Sequence, residues 1–81
     1  MEILSCGKGD IKIQMDNEFS NITIHATGTM VKNFKGFAFT VSSITQIEPE
    51  KSSLSFAEKM EIANALINWQ SSPVSLEIWE E

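Results

Sequence analysis

Apolar residues recur with helical spacing only between Ser55 and Gln70; elsewhere they alternate with polar ones or give way to turns. At about 100° per residue, Phe56, Met60, Ala63, Leu66 and Ile67 fall on one side of a helical wheel, with Ile62 and Trp69 at the flank. Glu61, Asn64, Ala65 and Asn68 fall opposite. The apolar arc is wider than a coiled-coil seam, so the segment is expected to lie flat against a sheet. Ser55 is placed to cap the first turn, and Glu58, three residues on, to reach back to the Ser55 amide as a capping box. Lys59 projects into the apolar arc, where its methylene stem can cover the core while the ammonium reaches water. Pro73 supplies the stop, since the residue before a proline is pushed out of helical conformation, and Ser71-Ser72 make the turn.

The rest of the chain reads with a period of two. Residues 1 to 9 combine a short apolar start, Ile3-Leu4, with a turn at Cys6-Gly7-Lys8-Gly9. From Asp10, Ile11, Ile13 and Met15 face one way and Lys12, Gln14 and Asp16 the other, before a polar turn at Asp16-Asn17-Glu18. From Ser20, Ile22, Ile24, Ala26 and Met30 share a face opposed by Thr23, His25, Thr27 and Thr29. Gly28 falls on the apolar parity, which predicts a bulge or a close approach by the helix. After a turn at Lys32-Asn33-Phe34-Lys35-Gly36, Phe37, Phe39 and Val41 alternate with Ala38, Thr40 and Ser42. The parity breaks at Ser42-Ser43, because Ile44 is apolar on the even count and Ile47 on the odd. A one-residue slip turns every later side chain over, so a bulge or bend is expected at this serine pair. Residues 48–53 form a polar connector, and Val74, Leu76 and Ile78 against Ser75, Glu77 and Trp79 make a last strand.

These elements predict a single α+β domain over residues 1–81: an antiparallel sheet, with a meander of three to four strands plus a C-terminal strand, and one amphipathic helix packed on one face. The threonine-bearing face is left to water or to a partner.

Composition narrows the choice of partner. The net charge of −5 comes from eleven acids and six lysines, with no arginine. Arginine supplies the bidentate forks used on phosphate and guanine, so the expected partner is a basic protein and not a nucleic acid. No apolar run reaches the roughly 18 residues of a membrane span. The absence of a basic-then-apolar start and the single cysteine lead to the expectation of a reducing, cytoplasmic setting. In that setting the Asn21-Ile22-Thr23 sequon and the lipoprotein-like Ile3-Leu4-Ser5-Cys6 are chance.

Candidate chemistry is sparse. The glycines around Lys8 lack the spacing of a phosphate loop. One histidine, His25, and one cysteine, Cys6, do not make a metal-ligand set, so no metal or cofactor is expected. Asp10, Asp16 and Glu18 sit at turn edges, where solvation alone would put them, and no catalytic residues are assigned. Tryptophan is enriched among interface anchors. Trp69 lies at the flank of the helical stripe, at a partly buried core edge. Trp79 points away from the presumed core with Glu77, Glu80 and Glu81 around it, either as an anchor for a basic partner or as cover for a sheet edge. Side-chain direction therefore gives two groups of candidate contact residues: Trp79, Glu77 and Glu80 at the C-terminus, and Thr23, His25 and Thr27 on the outer strand face.

Gly28-Thr29-Met30, Gly36-Phe37 opening a strand, Ser42-Ser43-Ile44 leading to Glu48-Pro49, and a capped helix beginning Ser55-Phe56-Ala57-Glu58 and carrying Ile62 together resemble the immunity protein 74 family of bacterial polymorphic toxin systems. The likeness covers residues 10 to 79. The chain departs from the family pattern at Ile47, where a tryptophan is usual, and at Glu50, where a second proline is. The resemblance implies a non-enzymatic protein that binds and blocks a cognate bacterial toxin. The alternative is a small homo-oligomeric structural or regulatory module, in which the outer sheet face or last strand pairs with a second copy. A small enzyme or ligand-binding domain would need a concave pocket with converging ionisable groups.

Overall fold

The structure is a computed structural model that describes residues 1–16 and 21–79. The period-two segments become strands: β1 (Glu2–Cys6), β2 (Asp10–Met15), β3 (Ile22–Val31), β4 (Gly36–Thr40), β5 (Thr45–Glu48) and, after the helix α1 (Phe56–Ile67), β6 (Ser75–Trp79). The sheet runs β1-β2-β3-β4-β6, with β5 also paired to β3. All pairings are antiparallel except β4 with β6. The chain returns to β4 only after passing through α1, and a parallel neighbour needs a crossover of that kind. The fold is thus α+β, a mostly antiparallel sheet with one helix on one face. Two details differ from the sequence expectation. Five strands precede the helix instead of three or four, because the Ile3-Leu4 start folds back on β2 as β1. The last strand joins β4 in parallel. Of the turn expected at Asp16-Asn17-Glu18, only Asp16 lies within the described residues; its Oδ1 accepts from the Met1 ammonium at 2.8 Å.

β3 organises the sheet. Its first half pairs with β2 along one edge and β5 along the other, and its second half with β4. β4 and β5 thus follow each other along one edge of β3, interrupted by a 3-10 turn at Val41–Ser43. This is the break expected at the serine pair. Ser43 Oγ fills the gap in the ladder: it accepts from the Thr27 amide at 2.9 Å and faces the carbonyls of Thr40 and Thr27 at 2.7 and 3.2 Å. At Gly28 the close approach comes from β4 and not from the helix. A Cβ there would meet the Ala38 carbonyl carbon and Phe39 Cα at 2.7 Å.

The core gathers the expected alternating residues, Ile11, Ile13, Met15, Ile24, Ala26, Phe37 and Phe39, with Val41, Ile44 and Leu76. The helix adds Ile62, Ala63 and Leu66. Ser55 caps α1 with the full capping box, Glu58 N to Ser55 Oγ at 3.1 Å and Ser55 N to Glu58 Oε1 at 3.0 Å. The buried face, however, is turned toward Ile62 and Trp69. Phe56 and Ile67, expected at its centre, are 64% and 40% exposed. Two contacts hold this rotation: Lys59 Nζ donates to the Ser42 carbonyl at 2.7 Å, and Trp69 packs against the core. The helix ends at Ile67, capped by Asn68, three residues before Gln70. Ending there lets the chain bring Trp69 back onto the core ahead of the turn at Ser72, whose Oγ donates to the Val74 carbonyl.

Candidate interaction surface

Residues opposite each other in a ladder share a face, so the register shows which sequence candidates meet. On the face away from the helix, Asp10 stands opposite Thr27 and Thr40 opposite Trp79. Thr27 and Thr40 both bond to Ser43. Thr27, Thr40 and Trp79 therefore form one row across β3, β4 and β6, with Thr27 and Trp79 two strand spacings, roughly 10 Å, apart. The adjacent row carries Thr29, Ala38 and Glu77. Glu77 Oε1 lies 3.4 Å from Lys32 Nζ in an exposed pair. Trp79 is 45% exposed, pointing outward as its parity requires. Glu80 lies outside the described residues.

Thr23 is a correction. Expected on the open face, it is only 6% exposed, because β2 and β5 pair with it from both sides, opposite Gln14 and Glu48. It is withdrawn from any contact surface. His25 is half-buried, its Nε2 3.0 Å from Asp10 Oδ2. Periodicity could not show this pair, which depends on the β2–β3 register.

Cys6 is near this end of the sheet but does not complete a catalytic set. Its thiol contacts Met30 Sδ at 3.6 Å. Burial first, and the Asp10 charge second, push the thiol pKa up from its ordinary value, whereas a nucleophilic cysteine needs it lowered. Among the described residues no three His, Cys, Asp or Glu side chains are grouped to hold a metal ion, and no helix is long and apolar enough to cross a membrane.

Two small clefts flank Leu54 and Gln46 beside the helix N-terminus, about 160 and 170 Å³ in volume. Sites for drug-sized ligands occupy roughly 300–1,000 Å³. The lysines near them are already engaged, Lys51 with Glu58 Oε2 at 2.6 Å and Lys59 with the Ser42 carbonyl.

The sequence reading missed the exposed flank of α1. The Glu58, Glu61 and Ile62 side of the helix borders a cleft shared with Ile22 and Gln46, and so faces β3 and β5. Phe56 and Ile67 lie on the opposite flank of α1, which also packs against β6, where Ile78 is 40% exposed. Counting Ile62 and Trp69 as centre instead of flank would have shown Phe56 and Ile67 rolling outward. Among the described residues, the edge of β6 away from β4 has no neighbour in the sheet order.

No family model matches the chain, and no curated protein or solved structure matches it. The resemblance to the immunity protein 74 family rests on its quoted residues alone.

Proposed function

We propose that the chain is a toxin-neutralising immunity protein, which binds a cognate, basic protein toxin and blocks it without catalysis, in the cytoplasm. The observation that carries this reading is where the exposed apolar surface lies. Of the six large apolar side chains exposed among the described residues, four (Phe56, Ile67, Ile78 and Trp79) belong to α1 and β6. Ile78 and the helix residues lie on one face of the sheet and Trp79 on the other, so exposed apolar groups of the kind that anchor interfaces stand on both sides of β6, and the net charge of −5 would speed encounter with a cationic partner. The family resemblance supplies the toxin.

The test is co-expression. The toxin domain encoded beside this gene should stop growth when expressed alone and be tolerated with this chain. No toxin gene nearby, or growth arrest despite a well-expressed chain, would refute the reading. The free β6 edge favours one competing reading, a homo-oligomeric module. In that case light scattering at micromolar concentration would give twice the mass of the monomer or more.

A further inference from the structure

We infer that the outer edge of β6 is where the partner docks, by taking up an extended segment of the pattern apolar–basic–apolar as a further strand. This rests on the protein-binding reading above and assigns it a surface and a chemistry.

The free backbone groups come first. The Ser75 amide donates to the Lys35 carbonyl at 3.0 Å, and alternate residues of a parallel strand turn toward the same neighbour. Ser75, Glu77 and Trp79 thus bond toward β4, and the N–H and C=O groups of Leu76 and Ile78 point to the outer edge. Proteins blunt such edges with bulges, prolines or lysines. β1, at the other end of the sheet, has a register irregularity between Ile3 and Ser5, and β5 is followed at once by Pro49. β6 has no bulge, proline or lysine: its five residues pair one to one with Gly36–Thr40, and its one charge, Glu77, opposes a like charge but not a basic residue.

The side chains then fix the occupant. Residues of an added strand opposite Leu76 and Ile78 lie on the core side of the sheet, where Ile78 is 40% exposed and offers apolar contact. The residue opposite Glu77 lies on the other face, next to Trp79. A lysine or arginine there meets the Glu77 carboxylate, which it shares with Lys32 in an exposed pair at 3.4 Å, and the face of an indole. A second copy fits less well. The antiparallel register in which Leu76 and Ile78 of each copy pair with Ile78 and Leu76 of the other sets Glu77 against Glu77, and like charges directly opposite are unfavourable.

The probe is a blocked peptide, Thr-Val-Lys-Val-Thr, whose pattern reads the same in either direction, titrated to millimolar concentration against the isotope-labelled chain. Amide shifts should concentrate at Leu76–Trp79 and weaken with added salt. Binding should fall about tenfold or more, 1.4 kcal/mol or beyond, with the Glu77→Lys chain or a peptide carrying glutamate for lysine. It should vanish with a peptide N-methylated at its edge-facing amides. Equal binding of the glutamate peptide, retained binding of the N-methyl peptide, shifts centred elsewhere, or none at millimolar peptide would overturn the assignment. Glu77→Gln, which keeps shape and loses charge, should fall between Glu77→Lys and the parent. Co-expression separates the two layers. If the parent chain protects against the toxin and Glu77→Lys protects equally, the edge assignment fails and the toxin reading stands; if the parent does not protect, the toxin reading fails whatever the peptide does.

Discussion

Ser43 stands where β4 has ended and β5 has not begun, and its hydroxyl does for Thr27 what a strand residue would. Replacing it with alanine removes the partner of the Thr27 amide at an exposed site. Ser43→Ala should therefore cost about 0.5–1.5 kcal/mol, read as a lower urea midpoint with an unchanged slope. Phe34 should respond with the opposite sign. Lys32, Asn33 and Phe34 all have positive φ, Phe34 at 67°, and its ring is 69% exposed, so it adopts a left-handed conformation with little burial in return. Asparagine tolerates that conformation far better, and Phe34→Asn should raise stability by about 0.5–1 kcal/mol in the same urea assay. The two positions differ in how far they could be read in advance. The break at Ser43 was visible because the parity of Ile44 and Ile47 disagrees. The burial of Thr23 and the collision at Gly28 were not, since both depend on which strand lies alongside, and alternation along one strand carries no information about its neighbour.

Helix α1 shows the same division at the next scale. Its N-terminus is local chemistry, and Ser55 and Glu58 form the capping box that the sequence spells out. Its roll about its axis is set by distant groups, the Ser42 carbonyl under Lys59 and the core under Trp69, so the sequence shows that an apolar arc exists but not where its buried centre lies. The parallel placement of β6 was hidden for the same reason. Ser55→Ala should lower stability by about 1 kcal/mol through loss of the cap. Glu58 adds a pH dependence. Its bond with Lys51, then those to the Ser55 amide and hydroxyl, lower its pKa from 4.5 to about 2. The unfolded chain takes up this proton at higher pH than the folded one, so the contribution is complete above about 4.5 and is lost as pH falls toward about 2. Asp16, held low by its bond to the Met1 ammonium, acts in the same direction. In thermal melts, Glu58→Gln should lie below the parent near neutral pH and converge with it at the acid end, with the gap narrowing in high salt because the carboxylate is exposed. A gap that stays constant across that range would show that the carboxylate charge contributes nothing beyond the side chain's hydrogen bonds.

At the scale of the whole molecule, the open edge of β6 poses a problem that charge can answer. A regular, bulge-free edge flanked by Ile78 and Trp79 invites pairing between copies, and two effects oppose it. One is local: Glu77 meets Glu77 in the fully bonded register, roughly 0.2–1 kcal/mol unfavourable and partly offset by Lys32 at 3.4 Å. The other is global: each copy carries −5, and that repulsion acts over a screening length of about 10 Å in 0.1 M salt but only about 3 Å in 1 M. The parent chain should therefore sediment as a monomer at micromolar concentration in dilute salt. Glu77→Thr, which removes the local clash and adds a β-favouring side chain, should move the boundary toward the dimer, and 1 M salt should move it further. Glu77→Lys restores like charges across the edge and should stay monomeric. If all three chains sediment alike at every salt concentration, the β6 edge is not exposed to association at all, and Glu77 is not what keeps copies of this chain apart.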